Sequence, residues 1–270
     1  MRTSLSALLL PFLLGSSAVA QSEAVAGSDS MGEIAKKLNN PVASLISVPF
    51  QSNFDFGGGP GDDGYQYKLN FQPVIPIKLN EEWKVISRTI IPFIDQDNRI
   101  GYGSESGMGD INASFFFSPN KEGPGGVTWG IGPEFLLPTA THDELGSEQW
   151  GAGPTALILK QDHGWTYGAL MSHVWSFWGE DDRDYVSLTF LQPFLSYTTP
   201  KHTTFGVNLE SSYDWNHEDW TVPLNLQVTQ LVKFGHMPVS FQLGGRYYLE
   251  KPSGGPDWGL RFAVTFVLPE

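Results

Sequence analysis

The sequence predicts an all-β fold: a transmembrane antiparallel up-and-down β-barrel of about twelve strands. Three observations carry this. Apolar and polar residues alternate with a period of two along most of the chain, the signature of strands with one oily and one polar face. The connections between these stretches switch between long acidic loops and short turns. After Gln21 no apolar run approaches the roughly 20 residues that a spanning helix needs, so a membrane crossing has to be made by strands.

The elements follow in chain order. Residues 1–20 read as an export signal: Arg2 supplies the positive end, Leu5 to Leu14 the apolar stretch, and Ala18-Val19-Ala20 a small-residue cleavage site before Gln21. Residues 21–42 form a periplasmic N-terminal segment with a short helix, capped by Asp29 or Ser30, running to Leu38 and ended by Asn39-Asn40-Pro41. It is either a plug for the lumen or a tail outside it. Residues 43–270 are the barrel.

Strands are expected near residues 43–54, 65–78, 83–94, 109–118, 127–137, 150–161, 165–177, 185–198, 203–213, 220–231, 239–249 and 258–268. In the second, Tyr67, Leu69, Phe71, Ile75 and Ile77 share one face, opposite Lys68, Asn70 and Gln72. The third contributes Arg88, the fourth Asp110 and Asn112, and the fifth Glu134 as inward polar groups. In the ninth, Phe205, Val207 and Leu209 oppose Asn208 and Glu210; in the tenth, Trp220, Val222, Leu224, Leu226 and Val228 oppose Asn225 and Gln227. Val239, Phe241 and Leu243 oppose Gln242 and Arg246 in the eleventh. The last strand sets Trp258, Leu260, Phe262, Val264, Phe266 and Leu268 against Arg261 and Thr265. The polar residues so named are the expected lining of a pore, where charged and hydrogen-bonding groups set selectivity. Acids and bases pairing to fill a narrow lumen is the other reading, since a twelve-stranded barrel lies between the packed and the water-filled sizes. Prolines 73, 133, 154, 193 and 223 cannot donate to a ladder and are expected at bulges or rims.

A soluble β-sandwich also alternates with period two. Lipid is favoured because the strands are long enough for a tilted crossing and the apolar face reaches the last strand, leaving a soluble protein a sticky edge. Trp83, Trp129, Trp150, Trp165, Trp220, Tyr248 and Trp258 fall at strand ends, as the girdles of a membrane barrel do. The longer connections, with Asp55, hold 18 of the 29 acids. Loops outside and turns in the periplasm describe an outer-membrane barrel. That acidic rim suits divalent cations bridging to lipopolysaccharide phosphates, although Glu180-Asp181-Asp182-Arg183-Asp184 lacks the spacing of a calcium loop. The net charge of −13 argues against nucleic acid, and the absence of cysteine removes disulfides and thiolate chemistry. No cofactor is expected.

The stretches Asn40–Gln51, Leu69–Pro76, Phe115–Pro119, Trp129-Gly-Ile-Gly-Pro-Glu-Phe-Leu-Leu-Pro-Thr139, Trp150–Thr155 and Phe190–Tyr197 resemble those of a known family. It is the group of outer-membrane transporters associated with the meta-pathway of phenol degradation, often mislabelled "neuromedin U". The resemblance covers residues 39–268. It implies a Gram-negative outer-membrane barrel that passes small, hydrophobic or aromatic compounds; it carries no catalytic or binding residues over. The assembly machinery for such barrels is then a partner. The chain departs from many outer-membrane barrels by ending Leu268-Pro269-Glu270 rather than in Phe.

Two rival readings stay open, a structural barrel without transport and a barrel hydrolase. A hydrolase needs a nucleophile within reach of a base. Ser172 and His173 are adjacent in a strand and point apart, while His142 with Asp143 or Glu144 is a loop pair that geometry has to judge.

Overall fold

The computed structural model describes residues 31–99 and 103–268. The export signal, its Ala20–Gln21 junction and the capping residues Asp29 and Ser30 lie outside them. Among the described residues twelve strands form one closed antiparallel barrel. They are β1 (Ile46–Phe56), β2 (Tyr65–Phe71, resumed at Val74–Lys78), β3 (Trp83–Asp97) and β4 (Glu105–Met108, resumed at Ile111–Pro119). Next come β5 (Val127–Leu137), β6 (Gln149–Asp162), β7 (Trp165–Gly179) and β8 (Ser187–Thr198). The wall is completed by β9 (Thr203–Leu209, resumed at Ser211–Asp214), β10 (Asp219–Phe234), β11 (Met237–Glu250) and β12 (Trp258–Leu268). Each strand pairs with its chain neighbours, and β1 pairs with β12 from Ile46 opposite Leu268 to Phe56 opposite Trp258. That seam leaves the sheet no free edge, so every ladder has a partner.

The sheet is inside-out relative to a soluble protein. On its outer face Ile131, Ile158 and Leu226 are 54%, 56% and 58% exposed, while on its inner face Asn53, Asn225 and Arg261 are 2%, 1% and 3% exposed. Apolar side chains therefore face outward and polar ones are enclosed, the distribution a lipid-facing barrel requires. One end carries the tight turns and both ends of the wall. There the β6–β7 hairpin closes through His163 and Gly164, both with positive φ, as a two-residue hairpin turn needs. The other end carries the longer acidic loops.

Most prolines sit at irregularities in mid-wall rather than at rims. Pro73 lies at the break in β2, where Thr89 still donates to its carbonyl; at Pro223 the β10–β11 register shifts. Pro133 and Pro154 are opposite one another, and there the β4–β5 and β6–β7 pairings each skip. Pro193 keeps its place opposite Ala169 in an unbroken run, while its other neighbour, β9, breaks at Glu210.

Aromatic side chains ring both ends. Trp83 meets Trp129 edge-on at 5.8 Å and Trp165 meets Tyr197 at 4.9 Å at the turn end. At the loop end Trp150 stacks on Trp178 at 6.2 Å, Trp220 lies against Tyr213 and Trp258 against Phe56. Tyr248 is a correction to the expected girdle. Tyr247 pairs with the outward Trp258, so the pleat turns Tyr248 inward, where its ring lies 5.4 Å from the Arg246 guanidinium.

Candidate functional site

The lumen is organised in three layers from the turn end to the loop end. The first is the segment before β1, helical over residues 31–38 at the turn-end mouth and reaching into the barrel through Val42, Ala43 and Leu45. Val42 is fully buried among Ile86, Phe116, Leu157, Leu159 and Leu170, which come from β3, β4, β6 and β7. Ala43 and Leu45 pack with Val267 of β12 together with Ile34 and Leu38. Polar ties anchor the same segment: Asn39 Nδ2 donates to Thr198 and Thr204 hydroxyls at 3.3 and 3.4 Å, and Gln161 donates to the Lys36 carbonyl at 2.9 Å. The segment thus touches opposite sides of the wall. A cavity of about 250 Å³ remains beside it, lined by Arg88, Gln227, Gln242 and Thr265 among others. The first strand begins at Ile46 rather than near 43 because residues 43–45 belong to this internal contact.

The second layer is a belt of paired polar groups. Arg261 of β12 holds Glu210 of β9 with two bonds of 2.7 Å and donates to Asn53 at 2.7 Å. Arg246 of β11 pairs with Asp55 of β1 at 3.0 Å and donates to Asn225, which donates on to Asn208. Glu210 and Arg261 stand three strands apart, so their bidentate pair crosses the lumen as a chord instead of lying along the wall. On the opposite side Glu134 accepts from Asn112, Ser114 and Ser172. Gln72 accepts from Arg88, and Gln242 donates to Gln227.

The third layer is a loop-end chamber containing Lys68, Asn70, Arg99 and Tyr248. Of the residues expected to line a pore, Lys68, Asn70, Gln72, Arg88, Asn112, Glu134, Asn208, Glu210, Asn225, Gln227, Gln242, Arg246 and Arg261 all face inward. Asp110 does not line it. Sitting at the break in β4, its carboxylate accepts from the Thr139, Ala140 and Ser147 backbone amides and the Ser147 hydroxyl, tying down the loop before β6. Sequence reasoning missed Asn53 and Asp55, whose signal was their parity with Gln51 in β1. It also missed Arg99, for which a loop position gives no signal.

The acidic loops tie to one another. Arg183 donates to the Asp143 and Gly146 carbonyls and pairs with Glu148 at 3.0 Å, joining two of them. Among the described residues no three His, Asp or Glu side chains converge as metal ligands. His217 lies 3.0 Å from Asp214. Its hydrogen bond to that carboxylate raises the imidazole above its ordinary value. A raised pKa means the pair steadies this loop below about pH 6.5 and releases it as pH rises through the raised value. Both groups are more than a third exposed, so the effect is below about 1 kcal/mol. An NMR titration is expected to place His217 above 6.5; a midpoint at or below that value contradicts the pairing.

Among the described residues the histidines assemble no complete hydrolytic set: His142 faces Glu105 at 3.9 Å rather than Asp143 or Glu144. Ser172 faces the lumen and bonds Glu134, whereas His173 faces outward. Its Nδ1 meets the Thr189 hydroxyl at 2.7 Å, which also accepts from Trp215. The other ring nitrogen is buried without a partner to orient it.

The wall has a counterpart among solved structures. An outer membrane channel from Pseudomonas putida F1 superposes with a TM-score of 0.63 over 83% of this chain and 94% of the channel, at 14% identity. The two share a fold. The outer membrane phospholipase A of Escherichia coli reaches 0.48 at 10% identity, over 83% of this chain and 90% of that one. The β domain of the Bordetella autotransporter BrkA reaches 0.45 at 8%, over 83% and 100%. No family model and no curated protein matches the chain.

Proposed function

We propose that this protein is a Gram-negative outer-membrane channel for the passive passage of small solutes, closed in the state seen here by its own residues 31–45. The observation that carries the reading is the pairing of an apolar exterior with an enclosed polar lumen that holds solvent-sized cavities on both sides of one belt. A barrel that only fills space has no use for a separate segment inside it. The family resemblance adds small aromatic compounds as the permeant class. The hydroxyl–imidazole pair of Thr189 and His173 is the one feature that favours a hydrolase, and it lacks the orienting third group of such sites.

Purified protein in a planar bilayer tests the passage. Discrete conductance steps, rare in the full chain and frequent once the internal segment is displaced, are expected. Silence in both forms overturns the proposal. The lipid-facing surface has its own test. Leu226→Arg places a charge on the outer face in mid-strand, which in a bilayer costs about 2–4 kcal/mol near the midplane. Urea unfolding in vesicles is expected to show a loss of that size, and an unchanged midpoint contradicts burial in lipid.

A further inference from the structure

The chamber at the loop end has a charge imbalance that the belt does not resolve. It measures about 310 Å³ and is roofed by Pro252, Gly255 and Pro256. The roof is closely fitted: Gly59 donates to the Gly254 carbonyl at 2.9 Å, and a Cβ on Gly58 would fall 2.5 Å from that oxygen. Four cations (Lys68, Arg99, Arg246, Arg261) and two carboxylates (Asp55, Glu210) border the space, leaving two cations in excess. Arg246 and Arg261 take up both carboxylates through bonds of 3.0 and 2.7 Å. The Lys68 ammonium has no hydrogen bond or ion pair among the described residues, its carbonyl alone accepting from Asn53, and the Nε of Arg99 is buried without a partner. Enclosed charges without a counter-charge are unfavourable, and a mobile anion relieves both at once.

We infer that this chamber binds a small organic carboxylate, its oxygens held by Lys68 and Arg99 and its carbon skeleton lying beneath the proline and glycine roof. Guanidinium and ammonium groups are the usual carboxylate donors, and the volume is about ten times that of one water, room for a carbon skeleton as well as the charged head. The inference names a solute class for the same lumen and so rests on the passage reading.

Calorimetric titration of the full, folded chain in detergent tests it, with benzoate as the probe and benzyl alcohol and inorganic phosphate as comparators. Saturable benzoate binding is expected, with no binding of the alcohol. Lys68→Gln should weaken benzoate about tenfold, Lys68→Arg should restore most of it, and Lys201→Gln at the far turn should change nothing. Migration on unboiled gels verifies folding, and Arg99→Gln replaces Lys68→Gln should that variant fail to fold. Absent benzoate binding, equal affinity in Lys68→Gln, or binding of phosphate alone overturns the inference. Conductance measured on the same samples keeps the two readings apart: conductance without benzoate binding removes the chamber and leaves the passage, while binding without conductance upholds the chamber and removes the passage.

Discussion

Val42→Asp is expected to turn a mostly silent barrel into one that conducts steadily. Val42 is fully buried among five apolar side chains from four strands. An unpaired polar group in such a place costs at least about 2 kcal/mol and a charge costs more. The wall is held by continuous ladders of backbone hydrogen bonds, whereas residues 31–45 are held by a few apolar contacts and side-chain bonds. The strain is therefore relieved by withdrawal of the segment, not by opening of the wall. Bilayer recordings should show larger and longer openings, and deletion of residues 31–42 should reproduce them. Gel mobility of the unboiled protein should stay that of a folded barrel in both variants. If neither variant alters conductance, the segment does not close the lumen.

Glu210→Gln is expected to be the most destabilising single change in the belt. Glu210 is shared by Arg261 at 2.7 Å and Arg246 at 3.9 Å, and both guanidinium groups are largely enclosed. Removing the charge leaves two buried cations with one carboxylate, Asp55, between them. Breaking such a pair from one side typically costs about 3–5 kcal/mol, whereas replacing both partners with apolar groups is close to neutral. Urea unfolding should therefore show a large fall in midpoint for Glu210→Gln and a smaller one for Glu210→Leu combined with Arg261→Met. Equal losses in the two would mean that the pair contributes packing and not charge compensation.

The wall was legible in the sequence because its signal is local. Period-two alternation places Leu69 and Phe71 outside and Lys68 and Asn70 inside by parity, and the turn residues divide the strands within a few positions of the observed ends. Where a residue left the regular pleat, local reasoning failed. Asp110 looked like an inward strand residue, but the break beside it frees its carboxylate to hold a loop some 30 residues on. Tyr248 looked like a girdle residue because it is aromatic and near a strand end, although strict parity from Phe241 and Leu243 turns it inward. The belt was half legible: its members were named, but not their partners. The Arg261–Glu210 bond joins positions 51 apart and Arg246–Asp55 positions 191 apart, pairings that depend on barrel curvature and leave no trace in local spacing. The position of residues 21–42 was open between inside and outside because apolar residues as sparse as Ile34, Leu38 and Val42 suit either a tail or a lumen.

The seam between β1 and β12 bears on how the molecule comes into being. It joins the beginning of the wall to its end, so the cylinder is not complete until the final residues are in place. Loop closure of that span is entropically slow to grow, adding only about 0.6 kcal/mol per doubling of length. Residues 31–45 are covalently continuous with β1 and pack on Val267 of β12. They are therefore part of the joinery of the seam, like a cork built into a cask instead of driven into its mouth.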